Sequence, residues 1–212
     1  MKIGIIGAGE VGRTVGRRLV AKGHSVSLTF SHNRAKLEAT AHAIGATACQ
    51  PAELGRFADV LVLTTPWGAA REALRAVGDL AGKLVWDCTN PLNADMSGLV
   101  IGTDRSAGEQ IAEWAGPGAQ VVKAIPPFAD FMARDGSLAL ADGRAPGVFV
   151  CGDDARARKT IAALVSDIGA DPVDAGPLRY ARFTEPAAML LVELAYGQGM
   201  GTSLGLSLLR SV

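Results

Sequence analysis

Neither sign of charge is in excess in this chain of 212 residues, where 21 lysines and arginines face 21 aspartates and glutamates for a formal net charge of +0. No basic run stands out either, so neither nucleic acid nor an acidic membrane surface is expected as a partner. Cysteines are few and odd in number, Cys49, Cys88 and Cys151, which argues against a disulfide framework and for a reducing compartment. The three histidines, His24, His32 and His42, lack metal-ligand spacing, and no metal site is expected. No signal-peptide core forms before Glu10 and Arg13, so a cytoplasmic protein is expected. Hydrophobic residues, at 49 %, suffice for a buried core.

One long apolar run needs separate treatment. From 187 to 209 the only charged residue is Glu193, and that length would span a bilayer. Gly197, Gly199, Gly201 and Gly205 interrupt it, and no cationic cluster flanks it. Its leucines, among them Leu190, Leu191, Leu194, Leu204, Leu206, Leu208 and Leu209, exceed what one small core can take. The segment therefore predicts buried helices or a subunit interface, with a homodimer as the simplest assembly and Met200 near the pocket it closes.

Elsewhere short apolar runs alternate with helical periodicity. Strands are predicted at 2–7, 24–30, 59–64, 83–87, 120–124, 148–151 and near 172–174. Helices are predicted at 11–21, 34–44, 67–77, from the Ser106/Glu109 capping box onward, at 154–168 and in the apolar C-terminal part. Strands separated by helices of this length predict an α/β fold, a Rossmann doubly wound parallel sheet with a small helical C-terminal part. The boundary is placed at 150: residues 1–150 for the dinucleotide-binding domain and 151–212 for the helical, dimerising part.

The sharpest motif is Gly7-Ala8-Gly9-Glu10-Val11-Gly12. Its context gives it weight: a strand ends at Gly7 and a helix starts by Val11. Gly7 allows the tight turn, Gly9 the approach of a pyrophosphate, and Gly12 close packing of helix on strand. Dinucleotide sites that take NAD place a carboxylate about 20 residues on. Here the chain reads Thr29-Phe30-Ser31-His32-Asn33-Arg34, with a hydroxyl, an amide and a guanidinium suited to a 2′-phosphate. NADP is therefore the expected cofactor. The bland alternative has Asn33 capping the next helix and Arg34 solvated.

Four further runs carry a resemblance: Leu63-Thr64-Thr65-Pro66-Trp67, Cys151-Gly152-Asp153-Asp154, Asp174-Ala175-Gly176-Pro177-Leu178 and Gly199-Met200-Gly201. With them the chain resembles the NADP oxidoreductases dependent on coenzyme F-420, a deazaflavin, along almost its whole length. The resemblance implies a Rossmann domain, a homodimer, and hydride transfer between NADP and a flat deazaflavin or flavin-like ring. It implies pocket walls at 64–67, 89–92 and 125–128, with Thr64, Thr65, Pro66, Trp67, Asn90 and Pro91 beside the cofactor. Lys123, Ile125, Pro126 and Met200 would face the second substrate. No catalytic side chain is required, because geometry supplies most of the catalysis. Two places depart from the family. Ser31-His32-Asn33-Arg34 replaces a Ser-Arg pair, and the runs 90–92 and 123–128 differ from the family's deazaflavin-facing loops.

Two other functions fit the same motifs. One is an NADPH-dependent imine or carbonyl reductase similar to pyrroline-carboxylate reductases, which needs a proton donor. The other is a non-enzymatic NADP(H)-sensing module. Single residues leave alternatives open as well. Lys123 is a proton donor or a strand-end residue, Trp67 stacks on the nicotinamide side or packs the helix start, and Cys88 faces the pocket or is a small hydrophobe. Asp87 is expected to cap the loop after it.

Overall fold

The computed structural model describes residues 1–30, 33–101, 104–209 and 211. From the amino terminus the elements are β1 (Lys2–Ile6), α1 (Glu10–Ala21), β2 (Ser25–Thr29), α2 (Arg34–Ala43), β3 (Thr47–Ala48) and α3 (Pro51–Phe57). There follow β4 (Val60–Leu63), α4 (Trp67–Val77), β5 (Leu84–Asp87), α5 (Ala107–Ala115), β6 (Gln120–Lys123) and the short α6 (Ala129–Met132). Last come β7 (Gly147–Gly152), α7 (Ala155–Asp167), β8 (Asp171–Gly176), a 3-10 turn at Leu178–Tyr180, α8 (Ala181–Val192) and a π turn at Glu193–Gly197.

Eight strands among the described residues make one sheet in the order β3-β2-β1-β4-β5-β6-β7-β8. The pairs from β3 through β6 are parallel. The expected doubly wound parallel sheet is present, with one exception: β7 runs antiparallel to β6. A parallel return needs a crossover of a dozen or more residues, usually a helix. Between β6 and β7 the only helix is the four-residue α6, so the chain turns back on itself. The resulting sheet is continuous across residue 150, which lies inside β7.

Both faces of the sheet are covered, and strand periodicity sorts the core. Ile3, Ile5, Val60 and Val62 face one layer with Val15, Leu19, Ile161 and Leu164. Ile6, Leu61 and Leu63 face the other, with Leu54, Leu74 and Ile111. β2 shows what double coverage does. Its Ser27 and Thr29 were the polar side of an alternating pattern, yet both are buried, Thr29 Oγ1 donating to the Cys49 carbonyl at 2.9 Å.

The Ser106/Glu109 capping box at the start of α5 is present, and Glu109 also receives two hydrogen bonds from Arg182 of α8 at 2.7 and 2.8 Å. Arg182 first and Ser106 next, against burial, hold the Glu109 carboxyl down at about 2. The expected helical C-terminal part is present as α8 and its π turn, while 198–209 contains no helix. Gly199 and Gly201, at φ of 68° and 78°, take the left-handed region that ends helices. The tail then returns to the sheet, where the Gly147 N–H donates to the Leu206 carbonyl at 2.6 Å. No helix among the described residues is long and apolar enough to cross a membrane.

Candidate active site

The glycine turn is shaped by close contact. Gly7 has a φ of 120°, where L side chains are strained. A Cβ on Gly12 would lie 1.9 Å from the Gly7 carbonyl oxygen, so glycine alone lets α1 begin this close to β1. Thr64 Oγ1 donates to that same carbonyl at 2.9 Å and to the Ile6 carbonyl at 3.2 Å, tying the end of β4 to the turn. Gly9 is the N-cap of α1, and a Cβ there would meet nothing within 4 Å. Its backbone faces open space, where the unpaired N–H groups and dipole of α1 favour an anion.

β1 lies between β2 and β4, the point where the strand order reverses. Open α/β sheets take ligands in the crevice outside the carboxyl ends at that point. A cavity of about 520 Å³ fills it here. Gly9, Glu10 and Val11 border it on one side, and Thr64, Thr65, Pro66 and Trp67 with Cys88, Thr89, Asn90 and Leu92 on another. Ile125 and Pro126 continue the wall through Phe128 to Asp130. The far wall was not foreseen residue by residue: Ala188, Leu191, Val192 and Tyr196 from α8 and its turn, and Leu204 to Leu206 from the tail. Nothing in their apolar character distinguishes them from core residues. Tyr196 meets Phe128 edge to face at 6.0 Å.

Other expected site residues sit elsewhere. Gly7 and Gly12 form the turn without lining the cavity. Pro91 is buried, and Met200 is 65 % exposed; neither lines the cavity. Ser31 and His32 lie outside the described residues. Asn33 caps α2, accepting from the Lys36 N–H at 3.0 Å. Arg34 pairs with Glu38 at 2.6 Å at the edge of a second cavity, about 340 Å³, bounded by Thr29, Phe30, Gln50 and Glu72 among others. Trp67 stacks on Trp114 of α5 at 5.0 Å while bordering the main cavity.

Behind the cavity lies a cluster of buried charges. The Lys123 ammonium, with its side chain 0 % exposed, meets Asp87 Oδ2 at 2.7 Å and Glu185 Oε1 at 3.1 Å, and donates to the Thr89 carbonyl at 2.7 Å. Burial alone would lower its pKa, but the attraction of Asp87 and Glu185 outweighs it and the pKa is raised. Glu185 in turn accepts from the Ala107 and Gly108 N–H groups at 2.8 and 2.9 Å, so α8 caps α5. Asp87 caps its loop as expected, accepting from the Thr89 N–H and hydroxyl at 2.9 and 2.7 Å. Lys123 is thus a fixed cation beneath the cavity and not part of its lining. Cys88 does line it, and burial, reinforced by Asp87, pushes its thiol well above the ordinary range, so it is neutral.

A doubly wound sheet that opens such a cavity beside its glycine turn has the architecture of the dinucleotide-binding folds. Within them, residues 2–91 match the family NADP oxidoreductase coenzyme F420-dependent, and the resemblance read from the motifs is borne out. A protein of Arthrobacter sp. FB24 ascribed to the F420-dependent NADP-reductases has a crystal structure matching with a TM-score of 0.83 at 28 % identity, over 99 % of this chain and 100 % of that one. Metalloreductase STEAP3 of Rattus norvegicus is 27 % identical over 192 residues, 90 % of this chain but 37 % of that protein, so the chain spans little more than a third of this relative's length. An imine reductase of Streptomyces aurantiacus shares the fold, with a TM-score of 0.65 at 16 % identity over 94 % of this chain and 65 % of its own.

Replacing Lys123 by methionine leaves Asp87 and Glu185 buried without their cation. Unpairing a buried charge costs about 3–5 kcal/mol, and urea denaturation of Lys123→Met should show a loss of that order. A loss below about 1 kcal/mol, the range of exposed pairs, would contradict the structural weight given to the cluster.

Proposed function

We propose that the chain transfers a hydride between NADP(H) and a flat conjugated ring of deazaflavin or flavin type. The observation that supports this is a cavity lined by Gly9 at the glycine turn and by apolar residues that include Pro126, Phe128, Leu191, Val192 and Leu206. A reduced nicotinamide held there supplies the hydride. The chain's own part is to bind and orient: N–H groups of the α1 start for the pyrophosphate, aliphatic walls for the rings, and exclusion of water. A conjugated ring would hold the added electron pair as an anion delocalised onto a ring nitrogen, which can take its proton from solvent after transfer, so no side-chain acid is needed.

The expected preference for NADP rests on the end of β2. Arg34 stands at the lip of the second cavity, in an exposed pair with Glu38. Exposed pairs are weak and easily exchanged, whereas a guanidinium on a phosphate makes charge-assisted hydrogen bonds. The homodimer rests on apolar exposure: Phe183 at 67 %, Leu190 at 59 % and Leu209 at 59 % stand open on the C-terminal part, more than a monomer usually tolerates. A cytoplasmic setting suits the three free thiols.

A second reading, reduction of an imine or carbonyl by NADPH, has Tyr196 in its favour, a phenol at the cavity wall that such chemistry could use as proton donor. The two separate on turnover. With NADPH in excess, a deazaflavin should be reduced and Tyr196→Phe should change its rate less than about threefold. Turnover of a cyclic imine, lowered by a factor on the order of 10²–10⁴ in Tyr196→Phe, would establish the second reading instead. For the cofactor, calorimetry on Arg34→Ala should show NADP weakened about tenfold to a hundredfold and NAD unchanged; equal losses would remove Arg34 from phosphate recognition. Light scattering should give twice the 21.8 kDa chain mass, and Leu190→Arg should halve it; a wild-type monomer would end the dimer proposal.

A further inference from the structure

Two residues that line the main cavity, Thr65 and Asn90, each carry a buried polar atom with no hydrogen-bond partner among the described residues, Oγ1 and Oδ1 respectively. Their residues follow the carboxyl ends of β4 and β5, adjacent parallel strands in which Leu63 stands opposite Asp87. Both therefore flank one side of the crevice. Buried polar groups in folded proteins are nearly always paired, so two orphans in one wall mark a place where a ligand completes the bonds.

Their chemistry limits that ligand. Asn90 Oδ1 can only accept, while the Thr65 hydroxyl can donate or accept. Together they match a group that offers an N–H next to a carbonyl, a primary carboxamide. The frame behind Asn90 is already set. Asp87 holds the Thr89 N–H and hydroxyl, Lys123 holds the Thr89 carbonyl, and the Asn90 carbonyl accepts from the Leu92 N–H at 2.8 Å. A side chain on so constrained a turn is positioned before a ligand arrives.

We propose that Asn90 and Thr65 hold the carboxamide of the cofactor's nicotinamide, Asn90 Oδ1 accepting from its NH₂ group and Thr65 Oγ1 donating to its carbonyl. This rests on the reading of the cavity as a nicotinamide dinucleotide site. The pair sets how the ring is turned about its glycosidic bond, and so which face it presents to the apolar lining that includes Phe128 and Leu191. Lys123 and Asp87 act here as positioning residues through Thr89.

Calorimetry with three ligands tests it: NADP, its 3-acetylpyridine analogue, in which a methyl group replaces the NH₂, and 2′-phospho-ADP-ribose, which has no nicotinamide. The wild type should bind NADP about tenfold more tightly than the analogue, the effect of one hydrogen bond in a buried site. Asn90→Leu should abolish that preference and leave 2′-phospho-ADP-ribose unchanged within about twofold. Asn90→Asp, which keeps the acceptor, should retain the preference. Thr65→Val should weaken NADP and the analogue alike, since both keep the carbonyl. Equal wild-type affinity for NADP and the analogue overturns the proposal without any variant, as does Asn90→Leu weakening all three ligands together. Should Asn90→Leu fail to fold, Asn90→Ser carries the same comparison. If none of the three ligands binds the wild type, the dinucleotide reading itself has failed, an outcome distinct from the loss of the carboxamide contact alone.

Discussion

The arrangement of this molecule depends on one buried ammonium. Lys123 ends β6 among carboxylates from β5 and α8, and each partner carries a second duty, Asp87 holding the loop after β5 and Glu185 the start of α5. Three elements far apart in the chain are thereby locked to one strand end. Buried ion pairs contribute little net stability compared with apolar packing, but they tolerate few alternative arrangements and are costly to break. Here that rigidity ties together the β5 loop and α8, both of which contribute to the cavity lining.

The other fixed quantity is the distance between α1 and β1. Gly12 meets the Gly7 carbonyl where no Cβ fits, and Thr64 binds the same carbonyl from β4. This contact brings the amino terminus of α1 to the mouth of the crevice and leaves the Gly9 backbone bare. The turn thus places an exposed helix start beside a cavity whose apolar lining comes from the strand-end loops, α8 and the tail. The antiparallel return of β7 adds to the chamber, because its first residues lie beyond the end of β6 and its edge receives the tail at Leu206. The polar ends of the ligand would be read by backbone and by Thr65 and Asn90, and its rings by aliphatic packing.

Much of this was legible in the sequence because it is periodic or locally punctuated. The 59–64 run, with every residue from Val60 to Leu63 buried, announced a strand covered on both faces, and Ser106 with Glu109 announced a helix start. The residues Thr64 to Trp67, Asn90 and Ile125 were implied by the family resemblance, and they line the cavity because they follow the carboxyl ends of the adjacent strands β4, β5 and β6. What escaped lay in short or long-range features. β3 has two residues, below any usable period, and α3 was signalled only by Pro51 at its first turn and by Gln50 with Glu53 as a capping box. The far wall was hidden because Leu191, Val192 and Leu206 look like core residues in sequence. Lys123 remained ambiguous because its carboxylate partners are set by the fold: Asp87 lies a strand away, and Glu185 arrives only when α8 docks on α5.

On the proposed reading, one crevice would hold the whole dinucleotide, with its pyrophosphate at the Gly9 backbone and its nicotinamide in the cavity beyond. A crystal structure of the chain grown with NADP tests this most directly. The pyrophosphate should lie on the N–H groups at the start of α1, the 2′-phosphate beside Arg34, and the nicotinamide between Thr65, Asn90 and Phe128. A dinucleotide bound away from the Gly7–Gly12 turn, or a nicotinamide lying outside the cavity, would contradict it.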